Sequence, residues 1–452
     1  MTTKIVRYID LFSGLGGIRL GLEQALSERG MQGLCVFTSE IKEAALKAHN
    51  YNFPNENVVA TDITKVKSED VPEFSILLGG FPCQAFSYAG SQKGFADTRG
   101  TLFFDIQRIL EGHLKGVDGF ILENVEGLVT HDKENSENKE GRTIRVIMKV
   151  LRDVLGYNAE YKVLNAADFG VPQYRKRVYI VGCKKKFGKI KLDFTPQEHV
   201  GVGGCLENGM PCIDNGFSRK LLSLYSASQL NGMALKDKRG GARNIHSWDI
   251  AQKGEVSVEQ KKLLNALLLE RRKRKWAEEI GIAWMDGMPL TLNQIRTFYD
   301  VPNLQEMLDD LVKKKYLFLE HPKKKNIHID ENGNKWTSRY PDVKLPKGYN
   351  IVTGKLSFEI SSFLDVNKPA NTIVAMDMNT IGVVDGDGIR HLTLREGLRL
   401  FGYPETYSLD IFNESNQTMK EGYDLIGNSV CVPVIKAVAL RLLEKIYKNS
   451  SK

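Results

Sequence analysis

The chain of 452 residues is poor in cysteine, and its few cysteines form no recognisable pattern. There is no C-x-x-C pair, no histidine cluster at the spacing of metal ligands, and the six cysteines are scattered, at Cys35, Cys83, Cys183, Cys205, Cys212 and Cys431. This distribution argues against a zinc site and against a framework of disulfide bonds. We therefore expect no metal and a reducing compartment.

Long apolar stretches are also missing. No uncharged apolar run approaches the ~20 residues that cross a bilayer, and no apolar targeting segment precedes Asp10. We expect a cytoplasmic protein without membrane contact. The composition, 42% hydrophobic and 26% charged, is ordinary for a soluble globular protein with room for more than one domain. A net charge of +8 suits a polyanionic partner without requiring one.

The first motif is a glycine-rich turn. Residues 10–17 read Asp-Leu-Phe-Ser-Gly-Leu-Gly-Gly, between a predicted strand at 5–9 and a helical pattern at 18–25. Such a unit brings backbone amides close to a nucleotide-like ligand. The spacing does not fit G-x-G-x-x-G, which disfavours a nicotinamide oxidoreductase. After a second predicted strand at 34–37, Glu40 could accept hydrogen bonds from ribose hydroxyls, although a surface glutamate that begins a helix gives the same pattern.

The most informative segment carries a cysteine. Residues 79–87 read Gly-Gly-Phe-Pro-Cys-Gln-Ala-Phe-Ser and follow a strand-like stretch at 74–78. The glycines permit a sharp turn, and Pro82 fixes its own φ, so Cys83 is held as a candidate nucleophile. Taken alone, a small buried hydrophobe in a turn would be the simpler reading.

In content and order, these segments resemble the DNA (cytosine-5) methyltransferases of bacterial restriction–modification systems. The resemblance also rests on Asp62-Ile63, on Glu123-Asn124-Val125 and on Gln-Tyr-Arg-Lys-Arg at 173–177. Two later blocks match as well, Lys-Pro-Ala-Asn-Thr-Ile at 368–373 and Gly-Asn-Ser-Val at 427–430. The chain departs from the family in that proline block and in a charged insertion after Val125, neither of which touches the catalytic set.

The resemblance implies a doubly wound, mostly parallel, Rossmann-like α/β sheet of the S-adenosylmethionine-dependent methyltransferases, with a second, smaller target-recognition domain. We expect the catalytic domain at 1–193 and 424–452, target recognition at 194–391, and a connector at 392–423. Within the middle region, 258–280 is predicted as one long basic helix. Residues 292–299, 304–312 and 316–320 are predicted as helix, helix and strand, which resembles a winged helix near 255–325 or a plain helical hairpin.

The resemblance also assigns the chemistry. Cys83 would add to C6 of cytosine, and Glu123, with a raised pKa, would bind N3 and the exocyclic amine. Arg175 and Arg177 would orient the base, and as alternate residues of one extended segment they are expected to point the same way. Glu123 could instead cap the helix that follows it. Arg175 and Arg177 could instead pair with phosphates or with surface acids.

The implied cofactor is S-adenosylmethionine, with S-adenosylhomocysteine as product. Its predicted contacts cluster in the glycine turn, after the next strands, beside the cysteine and in the last block, where the Asn428 amide is expected to brace the turn. They are Phe12, Ser13, Gly14, Leu15, Gly16, Gly17, Glu40, Ile41, Asp62, Ile63, Pro82, Leu102, Asn428 and Ser429.

The implied substrate is double-stranded DNA, from which the target base is flipped out. A closing loop at 84–100 would supply DNA contacts from Gln84, Ser87, Lys93 and Arg99. We expect a monomer in the bacterial cytosol, with any cognate restriction endonuclease as a separate protein. An RNA cytosine-5 methyltransferase is the alternative, which the basic middle region disfavours. A non-catalytic DNA-binding protein on the same scaffold would be expected to lose Cys83, Glu123, Arg177 or the glycine turn.

Overall fold

The structure is a computed structural model that describes residues 3–54, 58–59, 61–82, 102–133, 139–237, 243–329, 335–352 and 358–448. The chain divides into two compact units. The first comprises Met1–Glu207, Asp365–Asn379 and Leu392–Lys452, and the second comprises Asn208–Leu364 and Thr380–His391. Residues 392–423, expected to be a connector, are grouped with the first unit. The assignment of catalysis and target recognition to the two parts stays a prediction.

The strands within these ranges are β1 (Lys4–Leu11), β2 (Met31–Ser39), β3 (Val58–Val59), β4 (Ile76–Gly79), β5 (Gly119–Val125), β6 (Tyr157–Asn165), β7 (Gln173–Tyr174), β8 (Lys176–Lys184), β9 (Ala234–Leu235), β10 (Asn244–Ile245), β11 (Leu317–Glu320), β12 (Lys323–Ile329), β13 (Lys335–Pro341), β14 (Gly348–Ile351), β15 (Ser362–Phe363), β16 (Ala370–Asn371), β17 (Ile381–Asp385) and β18 (Gly388–His391).

The α-helices in the same ranges are α1 (Gly17–Glu28), α2 (Glu43–Asn52), α3 (Leu102–Gly112), α4 (Gly127–Thr130), α5 (Arg142–Lys149), α6 (Gly216–Leu224), α7 (Ala227–Leu230), α8 (Val258–Glu270), α9 (Lys275–Glu279), α10 (Leu292–Arg296), α11 (Leu304–Lys313), α12 (Ala375–Met378), α13 (Leu394–Arg399), α14 (Asn416–Gly427) and α15 (Val432–Ile446).

The first unit is built on a sheet in the order β3-β2-β1-β4-β5-β8-β6. Strands β3, β2, β1, β4 and β5 run parallel to one another, whereas β8 runs antiparallel to both β5 and β6. From β1 the chain adds β2 and β3 outward on one side, and β4, β5 and then β6 lie on the other, with β8 inserted between β5 and β6. This confirms the predicted doubly wound, mostly parallel sheet.

The central strands are continuous apolar runs because both faces of the sheet are covered. All four residues of β4 are buried, and so are the first six of β5. One face packs in a core with α3 and α5, whose buried side chains include Phe103, Ile106 and Ile147.

Helix α15 packs directly against α1 and so returns the C-terminal part of the chain to the sheet. The helices approach so closely that a Cβ at Gly21 would lie 2.5 Å from Cβ of Ile435 and 2.9 Å from the backbone nitrogen of Lys436. The segment Asn416–Ile446 is long and apolar enough to cross a membrane by composition alone. It consists of α14 and α15, however, and their apolar faces are buried in this unit, which accounts for the composition.

The second unit contains a sheet in the order β10-β9-β15-β17-β18 and a separate helical part with its own core. In that part the predicted single helix at 258–280 is wrong. Helix α8 ends at Glu270, and the buried Arg271 that follows it donates from Nη1 to Oδ1 of Asn350 at 2.5 Å. The chain resumes as α9 at Lys275. The predicted helix, helix and strand that follow are confirmed as α10, α11 and β11.

Gly21→Ala tests the packing of α1 on α15. Alanine normally favours a helix interior, but this Cβ must push α15 away, so we expect a loss of about 1–3 kcal/mol in the free energy of unfolding. The matched control is Gly204→Ala, because a Cβ at Gly204 has no heavy atom within 4 Å among those considered. A thermal melt in which both variants match the wild type would contradict the close packing.

Candidate active site

The sheet places the predicted motifs at one edge. Strands β1 and β4 are neighbours and parallel, and the strand order reverses between them. In such sheets the crevice at the carboxyl ends of the two strands is the ligand site. The glycine turn leaves β1 there, and Gly80, Phe81 and Pro82 leave β4.

The glycine turn is a tight, partly strained connection into α1. Gly14 and Gly16 have φ of 54° and 70°, and Phe12, which is not a glycine, has φ of 58°. A left-handed backbone at Phe12 costs about 1 kcal/mol or more, so the surrounding contacts must hold it. Ser13 is buried, and its Oγ has no hydrogen-bond partner within the described part of the chain. The turn therefore keeps a buried hydroxyl beside the N-terminus of α1.

The last motif closes over this turn, through residues other than the expected one. A Cβ at Gly17 would lie 2.5 Å from the Tyr403 hydroxyl and 2.7 Å from Cγ2 of Val430, so only glycine permits this approach. The hydroxyls of Tyr403 and Ser429 hydrogen-bond to each other. Asn428 is exposed, and its amide donates to the carbonyl of Asp424 at 2.9 Å instead. The expectation that Asn428 braces the turn is wrong, and Tyr403, which no sequence motif identified, contacts the turn instead.

Glu40 is fixed beside the glycine turn by backbone amides. The Gly14 amide donates to Oε2 at 2.8 Å, and the amides of Ile41 and Lys42 donate to Oε1, each at 2.8 Å. Both interpretations of this glutamate therefore describe part of its position, since it precedes α2 and also contacts the turn. Three amides hold the carboxylate while leaving lone pairs for a ligand hydroxyl.

The structure also describes four further residues that were predicted to contact the cofactor, and their assignment to it stays a prediction. The Asp62 carboxylate accepts a hydrogen bond from the Thr64 amide at 3.0 Å, which lowers the pKa of Asp62. Ile63 is buried, whereas the Ile41 side chain, next to Glu40, is 69% exposed. Leu102 is half-buried at the start of α3. Ile41 thus offers an apolar surface next to the carboxylate of Glu40.

Asn124 holds the segment that leads to the cysteine. Its Nδ2 donates to the Phe81 carbonyl at 2.8 Å, and its Oδ1 accepts from the Val125 amide at 2.8 Å. The sequence identified Asn124 only as a motif neighbour. Pro82 follows, and the predicted nucleophile Cys83 lies outside the described residues, as do the predicted DNA contacts Gln84, Ser87, Lys93 and Arg99.

Glu123 and Arg177 form the buried ion pair of the site. They lie diagonally across the antiparallel pair of β5 and β8, because Arg177 is opposite Val125. Nε of Arg177 is 3.3 Å from Oε1 of Glu123, and both side chains are largely buried. A Cβ at Gly80 would lie 3.8 Å from Oε2 of Glu123, so the start of the cysteine segment contacts this carboxyl. Burial raises the pKa of Glu123, and the charges of Arg177 and Arg175 oppose that rise.

Arg175 has a different environment from Arg177. Its Nη1 donates to the Ile373 carbonyl at 2.7 Å, and its Nη2 donates to the carbonyls of Gly427 at 3.1 Å and Ser429 at 2.6 Å. Desolvation lowers its pKa to about 10. The two arginines therefore make different contacts, Arg175 with three backbone carbonyls and Arg177 with Glu123, although both charges act on Glu123, and their shared role in orienting the base stays a prediction.

Gln173 completes this junction. Its Oε1 accepts from the Ile373 amide and its Nε2 donates to the Leu400 carbonyl, both at 3.1 Å. Strands β7 and β16 pair in parallel next to it. Through Gln173 and Arg175, the blocks at 368–373 and 427–430 are therefore hydrogen-bonded to the segment that carries Arg177.

An open cavity of about 520 Å³ lies beside Arg177. Arg177, Val125, Asn165, Tyr174 and Thr372 contribute to its lining. Its polar, cationic wall suits a planar polar ligand such as a nucleobase more than an apolar one.

A second cysteine lies near the pair, but its environment makes it unreactive. Cys431 is buried, and desolvation raises the pKa of its thiol to about 12 even though Arg175 and Arg177 oppose the shift. At neutral pH almost none of it is thiolate, which is the nucleophilic form. Within the described residues, no group of three or more His, Cys, Asp or Glu side chains could hold a metal ion.

Comparisons with known proteins agree with this geometry. The sequence model of the C-5 cytosine-specific DNA methylases matches residues 6–444. Over 441 residues the chain is 55% identical to the Type II methyltransferase M.NlaIV of Neisseria lactamica and 54% identical to M.NgoBV of Neisseria gonorrhoeae, covering 98% of this chain and 99% of each relative. A solved Escherichia coli structure of a putative DNA modification methyltransferase encoded within a prophage aligns with a TM-score of 0.51 at 20% identity, covering 98% of this chain and 100% of that one.

The doubly wound sheet, with its glycine turn at the switch point, defines a Rossmann-like methyltransferase fold. The chain belongs to the family of C-5 cytosine-specific DNA methylases and is a DNA cytosine-5 methyltransferase.

Glu40→Ala tests the crevice at β1 and β2. Loss of a charged hydrogen-bond acceptor for the ribose, worth about 1.5–3 kcal/mol, should weaken S-adenosylmethionine binding about 10- to 100-fold in calorimetry. Glu43→Ala is the matched control, because that carboxylate is 83% exposed and pairs with Lys47 on the surface of α2. Equal affinities for the two variants would remove Glu40 from the cofactor site.

Proposed function

We propose that this enzyme transfers a methyl group from S-adenosylmethionine to C5 of a flipped-out cytosine in duplex DNA, with Cys83 as covalent nucleophile. The observation that supports this most is the buried Glu123–Arg177 pair, in contact with the first residues of the Pro-Cys segment. An acid with a raised pKa and a guanidinium are the two groups that a cytosine ring needs as it receives a nucleophile.

The residues around the glycine turn fit S-adenosylmethionine. Glycine at position 17 lets Tyr403 and Val430 approach the turn, Ser13 keeps a buried hydroxyl without a partner in the described ranges, and three amides orient Glu40. When bound, the cofactor supplies an electrophilic methyl group on a positively charged sulfur. We assign the ribose to Glu40, the adenine edge to Asp62, Ile63 and Ile41, and the methionine end to the turn and Ser429.

The chain's own residues then activate the base. The Cys83 thiolate forms a bond to C6, and the ring electrons move toward N3 and C5. Glu123 donates its proton to N3 and accepts from the exocyclic amine, while Arg177 binds the cytosine carbonyl. After C5 has taken the methyl group, a water molecule acting as base removes the C5 proton, the C6–S bond breaks to regenerate the thiolate of Cys83, and N3 returns its proton to Glu123. Asn124 and Arg175 position the loop and the closing segment without touching the reacting atoms.

A base inside a duplex cannot reach these groups, so it must leave the stack at a cost of about a few kcal/mol. The cavity beside Arg177 provides a cationic wall for the displaced nucleotide. We assign target recognition to the second unit.

The names of the relatives support a role in restriction–modification. Both Neisseria relatives are called Type II methyltransferases and align over nearly their whole length. We propose that methylation protects host DNA from a separate endonuclease. Sequencing of 5-methylcytosine, after incubation of the protein with S-adenosylmethionine and mixed-sequence duplex DNA, tests the function. Marks confined to one short motif support it, and incorporation into RNA alone overturns it.

Cys83→Ser should abolish methyl transfer while leaving cofactor and duplex binding intact, because a serine hydroxyl is far less nucleophilic toward C6. Cys212→Ser is the matched control, since Cys212 is an exposed cysteine of the second unit. Transfer of radiolabelled methyl groups by both variants at the wild-type rate would exclude Cys83 as nucleophile.

Glu123→Gln should slow methyl transfer about 10²- to 10⁴-fold, because the amide keeps hydrogen bonds but cannot deliver a proton. Burial raises the pKa of Glu123, so the wild-type rate should fall as rising pH removes this proton. The variant should lack that decline. Glu111→Gln, at an exposed position of α3, should keep the wild-type pH profile. An unchanged profile in Glu123→Gln would mean that another group gives the proton.

A further inference from the structure

The helical part of the second unit has the element order of a winged helix. Helices α8, α10 and α11 precede β11, the β12–β13 hairpin and β14. Strand β14 pairs antiparallel with β11 and also bridges from Tyr349 to Leu290. The hairpin therefore occupies the place of the wing, and α11 the place of the helix that reads the major groove in related DNA-binding motifs.

The surface of α11 is unsuited to a polyanion. The buried side chains of α11 are Leu304, Met307, Leu308 and Leu311. The exposed side carries Glu306 and Asp309, and Asp310 is half-buried. The helix has a single basic residue, Lys313. Carboxylates at this density repel phosphates rather than bind them.

The basic residues that follow α8 already have partners within the second unit. Arg271 is buried against Asn350. Arg272 pairs with Asp286 at 2.7 Å, and Lys273 pairs with Glu270. These three basic side chains already have partners within the unit and are therefore poorly placed to bind phosphates.

The hairpin has the opposite character to α11. The segments 323–329 and 335–341 contain five Lys or Arg residues and no Asp or Glu. Lys323 and Lys324 pair with Glu320 and Asp342 at the base of the hairpin, at 3.0 and 3.1 Å. Lys325 is exposed and has no carboxylate partner among the described residues. Net positive charge thus remains on the strands.

The pairing of β12 with β13 concentrates that charge. Lys325 is directly opposite Arg339, an arrangement of like charges that destabilises a free hairpin. Arg339 is held in place by the carbonyls of Ala283 and Trp284, at 3.5 and 3.0 Å. Ile327, two residues along the same face, is 58% exposed. An anion bound between the two cations would relieve the repulsion.

We propose that the β12–β13 hairpin, rather than α11, contacts the phosphodiester backbone of duplex DNA, with Lys325 and Arg339 as the phosphate-binding pair. The inference rests on the proposed function and specifies which surface of the second unit binds its substrate. Phosphates match both the charge of the pair and the elongated form of the hairpin, whereas the acidic surface of α11 would repel them.

The test is the salt dependence of DNA binding by the full-length protein. A fluorescent duplex of mixed sequence is titrated at several NaCl concentrations with the wild type, Lys325→Ala, Lys325→Arg and Lys313→Ala. Lys313 is the matched control, an exposed lysine on α11. Loss of one phosphate contact should reduce the slope of log K against log salt by about 0.9 and weaken binding about three- to tenfold near physiological salt in Lys325→Ala only.

Lys325→Arg keeps the charge and should retain the wild-type slope. A lowered slope in Lys313→Ala, or wild-type binding by Lys325→Ala, overturns the inference. Methyl transfer by the wild type, measured on the same DNA, distinguishes failure of this inference from failure of the proposed function. If the wild type methylates this DNA while Lys325→Ala binds normally, only the assignment of the hairpin fails; if the wild type transfers no methyl group to DNA, the proposed function fails and the inference with it.

Discussion

The parallel pairing of β1 with β4 is the constraint on which the site depends. Because the strand order reverses between these strands, the glycine turn and the Pro-Cys segment leave the sheet side by side, although some 65 residues separate the two motifs along the chain. Glu40 and Glu123 arrive at the same edge from the neighbouring strands β2 and β5. A nucleotide-like cofactor and a reactive thiol can meet only where these four chain segments meet.

A second junction keeps distant parts of the chain at this edge. Arg175 and Gln173 bind backbone carbonyls and an amide from the late proline block, from the segment after α13 and from the last motif. Both terminal nitrogens of the buried Arg175 guanidinium donate to backbone carbonyls, so the closing segments and the arginine hold one another. The last motif is thereby held against the glycine turn, where Ser429 and Tyr403 lie close to Gly17.

Much of this could be predicted from the sequence because it follows from chain order. Apolar runs that end in Gly-Leu-Gly-Gly, in Glu40 or in Glu123 predict a parallel sheet with its motifs at one edge. The antiparallel register of β8, which brings Arg177 diagonal to Glu123, could not be read from the sequence, and neither could the burial that separates Arg175 from Arg177. The burial of Arg271 could not be read from the sequence either, since a run of basic residues indicates exposure unless a partner such as Asn350 is known.

The claim that matters most is that the thiol of Cys83 becomes bonded to the base. Its most direct test is mass spectrometry of the protein incubated with S-adenosylmethionine and a duplex that carries 5-fluorocytosine at the mapped site. Fluorine cannot leave as a cation, so the last elimination cannot occur and the intermediate should persist. The account predicts a DNA adduct on the peptide that contains Cys83. An adduct on Cys431, or methyl transfer to normal DNA with no adduct on fluorinated DNA, would contradict it.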